Sequence, residues 1–155
     1  MESRRPIIGV IGAGKADDRT HSVAEEVGGA IARRGAILVC GGLGGVMEAA
    51  AKGASREGGL TVGILPNSDP DEANPHITVP VATGFGEGRN IIIVRTADAL
   101  IAVGGEYGTL SEIAFALKTG KPVVGLRTWD IQGIVHAKGA DEAVDAVFDL
   151  LSRKR

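Results

Sequence analysis

The chain has 155 residues, 44% of them hydrophobic and 23% charged, enough for one domain of ordinary size that folds without a disulfide or structural metal. A formal net charge of −2 gives no general attraction to nucleic acid or to a membrane surface, and no apolar run reaches the ~18 residues of a membrane span. The 24 glycines are clustered rather than periodic, which excludes a collagen-like chain, and with aromatics at 3% the core must be built from Val, Ile, Leu and Ala.

In chain order, Ile7 to Ile11 is a short apolar run ending in Gly12-Ala13-Gly14, which predicts a buried strand and a tight turn. Ser22 to Arg34 carries Val23, Val27, Ala30 and Ile31 at helical spacing, and Gly35 stands where a helix C-cap belongs. Ala36 to Cys40 predicts a second buried strand, ending in Gly41-Gly42-Leu43-Gly44-Gly45. Val46 to Arg56 predicts a helix closed by Gly58-Gly59, and Thr61 to Leu65 a third strand. Asn67 to Pro75, rich in Pro, Asp and Asn, reads as a loop, and Ile77 to Val81 as a short extended piece. Gly86 to Thr96 predicts a helix with an apolar face, and Ala99 to Val103 a fourth strand ending in Gly104-Gly105. Thr109 to Thr119 predicts a helix capped by Gly120, Pro122 to Leu126 a fifth strand, and Asp141 to Leu151 the closing helix.

Strands and helices therefore alternate throughout, and the strands are continuous apolar runs, as expected when both faces are covered. The pattern predicts a single α/β domain over residues 1–155, Rossmann-like, with a doubly wound and mainly parallel sheet in a three-layer α/β/α arrangement. In such sheets ligands bind beyond the carboxyl ends of the strands, where the strand order reverses. The lone Cys40 cannot form an internal disulfide, and Met-Glu-Ser-Arg-Arg-Pro leads straight into a strand without a signal-peptide core. Both point to the cytoplasm. The tail Arg153-Lys154-Arg155 is too short for a binding patch and reads as a solvated terminus.

Three strands end in glycine clusters that run into helices. Glycine lets the backbone come close to a ligand and adopt positive φ, and the helix N-terminus behind it offers free N–H groups and a partial positive charge. This predicts a phosphate site built from Gly12 and Gly14, from Gly41, Gly42, Gly44 and Gly45, and from Gly104, Gly105 and Gly108 with the Thr109 hydroxyl. The first loop, Gly12-Ala13-Gly14-Lys15-Ala16-Asp17, lacks the last glycine of GxGxxG, and no GxxxxGK[ST] occurs. Neither classical dinucleotide binding nor a P-loop ATPase is supported. His21, His76 and His136 show no metal-ligand spacing, so no metal site is expected. Asp17-Asp18 could hold ribose hydroxyls or simply solvate their loop.

The richest segment runs Gly88-Arg89-Asn90, then Ile91-Ile92-Ile93-Val94, then Ala97 to Val103, then Gly104-Gly105-Glu106-Tyr107-Gly108-Thr109-Leu110-Ser111-Glu112. It resembles the PGGxGTxxE motif, with its upstream Arg-Lys pair, of the SLOG/LONELY GUY-like superfamily of cytokinin-activating phosphoribohydrolases, formerly called lysine decarboxylase-like. Gly41-Gly42-Leu43-Gly44-Gly45-Val46-Met47 is similar to that superfamily's earlier glycine loop. The Arg-Lys pair is Arg89-Asn90 here, and Pro-Gly-Gly is Gly104-Gly105-Glu106. In these respects, and in its length, the chain looks more like the molybdenum-cofactor carrier branch, as does Lys121 to Asp130.

That resemblance implies a binding protein for a phosphate-bearing nucleotide-like or molybdopterin-type molecule. No cofactor is then required, and a molybdenum cofactor or nucleotide would be the ligand. It also implies a homodimer or homotetramer, with Ile91 to Val94 as one contact surface, unless that stretch packs on its own sheet. The alternative is a nucleoside 5′-monophosphate phosphoribohydrolase, in which Arg89 and Glu112 would be catalytic. Arg89 suits a phosphate or a departing base. Asn90 can donate hydrogen bonds but not the charge of lysine. Thr109 and Glu112 also have the spacing of a helix N-cap and capping box. Glu106 places a carboxylate in a phosphate loop, where it would point outward or meet a donor-rich ring edge. Trp129 reads as packing on a late loop or at a subunit contact.

Overall fold

The computed structural model describes residues 3–154; Met1 and Glu2, and Arg155 of the basic tail, lie outside the described residues. Seven strands form one all-parallel sheet in the order β4-β3-β2-β1-β5-β6-β7. They are β1 (Ile7–Gly12), β2 (Ile37–Cys40), β3 (Thr61–Leu65), β4 (Val79–Ala82), β5 (Ala99–Val103), β6 (Val123–Leu126) and β7 (Val135–His136). Five helices connect them: α1 (Asp18–Arg33), α2 (Val46–Arg56), α3 (Arg89–Thr96), α4 (Tyr107–Lys118) and α5 (Ala140–Arg153). One buried cluster joins α1, α2 and α5 to one face of the sheet through residues such as Val27, Val46 and Val144. A second joins α3 and α4 to the other face through Ile93, Val94 and Ile113. The fold is thus the three-layer, doubly wound α/β arrangement that alternation predicts.

β1 lies at the centre, with Ile8 paired to Leu38 of β2 on one side and to Ala99 of β5 on the other. The chain winds outward from β1 to β4, then returns through α3 to place β5 against β1. Strand order reverses between β1 and β5, and the site forms there.

The bounds of α2, β3 and β5 match the sequence pattern; other elements differ for identifiable reasons. α1 begins at Asp18, four residues ahead of the expected Ser22, because the Asp17 carboxylate accepts a hydrogen bond from the Thr20 amide at 2.8 Å. This is an N-cap, made by Asp17 Oδ1. Gly86–Gly88 forms a 3₁₀ turn, and α3 proper starts at Arg89. Ile93 and Val94 are buried under the sheet while Ile91 remains 46% exposed, so the apolar run divides between core and surface. β4 falls at Val79–Ala82 as an exposed edge strand. β7, two exposed residues paired in register with β6, carries no sequence signal. Among the described residues, no helix is long and apolar enough to cross a membrane.

α1 and α2 cross with backbones in close approach. A Cβ on Gly28 would lie 1.9 Å from the Ala50 carbonyl oxygen, and one on Gly53 would lie 1.9 Å from that of Glu25. This contact seats α2 low on the sheet, and so fixes where the glycine loop ahead of it emerges.

Candidate functional site

A cleft of about 470 Å³ opens at the carboxyl ends of β1, β2 and β5. Its volume suits a small organic ligand. Of the residues singled out in the sequence, Gly12, Gly14, Gly41, Arg89, Asn90, Glu106, Gly108, Thr109 and Glu112 line it. The chain thus brings together residues as far apart as Gly12 and Glu112, through the pairing of β1 with β2 and with β5.

Gly42, Gly44, Gly45, Gly104 and Gly105 do not line the cleft, and most of them serve the loops instead. Gly45 has φ +64°, and a Cβ there would lie 2.3 Å from the Ala13 carbonyl oxygen, so the loop after β1 rests directly on the loop before α2. The Val46 amide donates to that same carbonyl at 3.0 Å. Gly105 has φ +105°, and its Cβ would meet Thr109 Oγ1 at 2.3 Å. Gly42, at φ +77°, sits against Leu65. The Gly104 carbonyl accepts a hydrogen bond from Thr128 Oγ1 at 2.6 Å.

Glu112 also departs from the capping-box expectation. α4 begins at Tyr107 with Glu106 at the N-cap, and no side chain caps it. Thr109 is therefore inside the first turn rather than at the cap, and both Thr109 and Glu112 are buried. An uncapped helix start with Gly108 and Thr109 facing a cleft leaves backbone N–H groups available to an anion.

Arg89 enters from the opposite side, at the start of α3. Gly41 makes room for it, since a Cβ there would lie 2.8 Å from Arg89 Nη2. Nη2 donates to the Gly41 carbonyl at 3.4 Å and Nη1 to Asn90 Oδ1, while the buried Nε has no partner. Asn90 thus holds the guanidinium. Burial works against the Arg89 charge, and the Glu112 carboxylate opposes that effect. Burial pushes the Glu112 carboxyl up to about 7, with Arg89 pulling the other way. Near neutral pH Glu112 can therefore either donate or accept a proton. Cys40, at the end of β2, is fully buried and its thiol is pushed up to about 11 by burial, which fits a core residue.

Lys15 and Met47 line the cleft without having been singled out. Lys15 had a signal, since it directly follows the first glycine pair. Met47 had one too, as the last residue of the segment that resembles the superfamily's glycine loop, and its Sδ lies 3.9 Å from Arg89 Nη2.

Solved structures share this fold and much of this sequence. The molybdenum cofactor binding protein of the phototrophic bacterium Rippkaea orientalis superposes with a TM-score of 0.92 at 35% identity, over 97% of this chain and 99% of that one. The molybdenum cofactor carrier protein of Chlamydomonas reinhardtii superposes with a TM-score of 0.87 at 40% identity, over 97% and 99%. A protein of Archaeoglobus fulgidus is 56% identical over 139 residues, 89% of this chain and 91% of that one. Residues 5–150 match the SLOG cluster4 family, and with the glycine loops and Arg89–Glu112 cleft described above, the chain belongs to that family.

Proposed function

We propose that the chain is a binding protein for a phosphate-bearing small molecule of molybdopterin or nucleotide type. The observation that carries this reading is the uncapped start of α4, where Gly108 and Thr109 face a cleft that also holds Arg89 and Lys15. The phosphate sits on the first-turn amides and the Thr109 hydroxyl, with the two cationic side chains closing its charge. The half-buried guanidinium with its unpaired Nε fits an anionic ligand that offers further acceptors. The molybdenum cofactor binding and carrier proteins named above support the molybdopterin form of the ligand. The cofactor is then cargo, and the chain's own part is to hold its phosphate and shield it.

The test is thermal unfolding with AMP, ribose 5-phosphate or molybdopterin, with free base measured in the same samples. A ligand at a hundredfold excess over its Kd adds about 2.7 kcal/mol to the native state, which raises Tm by several degrees. A rise without free base supports binding alone. No rise with any phosphate compound overturns the reading.

One observation favours a second reading, a nucleoside 5′-monophosphate phosphoribohydrolase. Glu112 is buried beside Arg89 and titrates near 7, as a general base for water attacking the anomeric carbon would. Water's oxygen bonds to that carbon, the bond to the base nitrogen breaks, and the base leaves as its protonated form. Asn90 and Glu106 count against it, since neither supplies positive charge to a leaving group. Free base from AMP, lost in Glu112→Gln, would establish it.

We also place the protein in the cytoplasm as a homodimer or homotetramer that uses neither nucleic acid nor membrane. The exposed Ile91 beside a 260 Å³ apolar hollow between α3 and α4 supports a subunit contact there, checked by light scattering of the wild type and Ile91→Glu.

A further inference from the structure

We propose that Tyr107 and Trp129 form a stacking subsite for the planar fused ring of the ligand whose phosphate the glycine loops hold. The proposal rests on the binding reading above and adds the chemical class of the ligand's other end. The chain has one Trp, one Tyr and three Phe. The single Trp and single Tyr lie together, ring centroids 5.9 Å apart and tilted by 33°. Tyr107 is 79% exposed, the most exposed large hydrophobic side chain among the described residues, so its ring adds little to the core. It sits between Glu106 and Gly108, which both line the cleft, and it is the first residue of the helix whose amides face the phosphate.

Trp129 is held in place from behind. Its Nε1 donates to the Glu106 carbonyl at 3.0 Å, and the neighbouring Thr128 Oγ1 donates to the Gly104 carbonyl at 2.6 Å. Two hydrogen bonds thus tie the loop after β6 to the loop after β5, and Trp129 also packs against the α3–α4 core. Trp129 is thus pre-positioned against the loop that carries Glu106, with the exposed Tyr107 ring against it; neither ring lines the cleft itself, and both lie beside its Glu106–Gly108 wall. An aromatic side chain fixed beside a binding cleft gains from stacking with a planar heteroaromatic ring that extends out of it, at little cost in ordering entropy. Pterins and purines share that ring chemistry, and a phosphate group distinguishes neither.

The experiment compares wild type with Tyr107→Leu, a change at an exposed position that keeps apolar bulk and helix propensity. Binding of AMP, of molybdopterin under anoxic conditions and of ribose 5-phosphate is measured by calorimetry. Trp129 emission, which has a single origin in this chain, is followed during the AMP and ribose 5-phosphate titrations. The expected result is about tenfold weaker binding of the ring-bearing probes to Tyr107→Leu, with ribose 5-phosphate unaffected. Trp129 emission should change with AMP but not with ribose 5-phosphate. The ring bound more tightly by wild type identifies the source as purine or pterin.

Equal affinity of both proteins for the ring-bearing probes overturns the proposal and leaves the phosphate reading standing if ribose 5-phosphate binds. An equal loss for all three probes assigns Tyr107 to loop support and overturns it too. A shift of oligomeric state in Tyr107→Leu, with ring binding unchanged, assigns the pair to a subunit contact. Failure of every probe to bind wild type overturns the phosphate reading and this inference with it.

Discussion

Gly105 shows how a single backbone conformation carries the site. At φ +105°, with Thr109 Oγ1 2.3 Å from where a Cβ would stand, any side chain must push the first turn of α4 out of place. Gly105→Ala should cost about 1–3 kcal/mol in urea unfolding and weaken phosphate binding, measured by the same thermal shifts. Glu112 makes the opposite point, since its burial opposes stability. Its carboxyl titrates near 7 in the folded chain against an ordinary 4.5, so the folded state binds the proton more tightly. Stability is then greatest below about 4.5 as far as this group is concerned, and falls as pH rises through 7. Glu112→Gln removes that fall and should stabilise the protein at pH 8 by up to about 3 kcal/mol. Chemical denaturation at pH 5 and pH 8 reads the difference, and an unchanged pH slope in the variant would refute the assignment.

Between elements, polar tethers and close backbone approaches add to the apolar packing of the two buried clusters. Lys121 Nζ donates to the carbonyls of Val94, Arg95 and Ala97 at 2.7, 2.7 and 2.6 Å. It thus satisfies the carboxyl end of α3 with a favourable charge for the helix dipole. Lys121→Met should lower stability by about 1–2 kcal/mol. Because α3 carries Arg89 at its other end, the same change should weaken ligand binding. The α1–α2 crossing leaves no space at all. Gly28→Ala puts a methyl 1.9 Å from the Ala50 carbonyl oxygen, so the helices must separate, at a cost of about 1–3 kcal/mol. Its Tm falls accordingly, and because α2 and the loop ahead of it carry Met47 and Gly41 of the cleft, the ligand-induced shift should shrink as well.

At the scale of the molecule, Asp98 and Glu112 act on opposite limbs of the pH profile, and the Asp17 carboxylate, held down by the Thr20 amide, adds to the acid limb. Asp98 accepts hydrogen bonds from both Arg4 guanidinium nitrogens and from the Ile7 amide, which joins the start of β1 to the start of β5. The Arg4 hydrogen bonds, with the one from the Ile7 amide, hold its carboxyl below the usual range. That contribution is present above the ordinary carboxylate pKa and is lost as pH falls through the folded value. Glu112 acts on the alkaline side, so the stability maximum of the whole chain should lie on the acid side of neutrality. A Tm profile from pH 3 to 9 checks this, and a maximum above pH 8 would contradict it. In Asp98→Asn the acid limb should flatten while the limb near 7 remains.

Much of this architecture was legible in the chain. β1, β3 and β5 are continuous apolar runs because both their faces are covered, and α2 has clean helical periodicity between two glycine pairs. Parallel alternation placed the site beyond the carboxyl ends of the strands, but that the order reverses between β1 and β5 came only from the strand pairing. Less could be read where local signals compete. Glu106, Tyr107 and Gly108 carry no helix-start signature, so α4 seemed to open at Thr109, and β7 is too short to show a pattern. Glycine spelling marked every loop of the site but could not separate Gly41, which faces the cleft and admits Arg89, from Gly45, which seats one loop on another. That difference depends on which atoms lie opposite each glycine once the strands have paired. The sequence by itself determined the fold class, the glycine loops and the Arg89–Glu112 segment, because periodicity and turn chemistry are local. The shared cleft of Glu112 and Arg89, the raised Glu112 pKa and the Tyr107–Trp129 contact were decided only by the tertiary structure, because burial and side-chain contact between elements exist only after the sheet has formed.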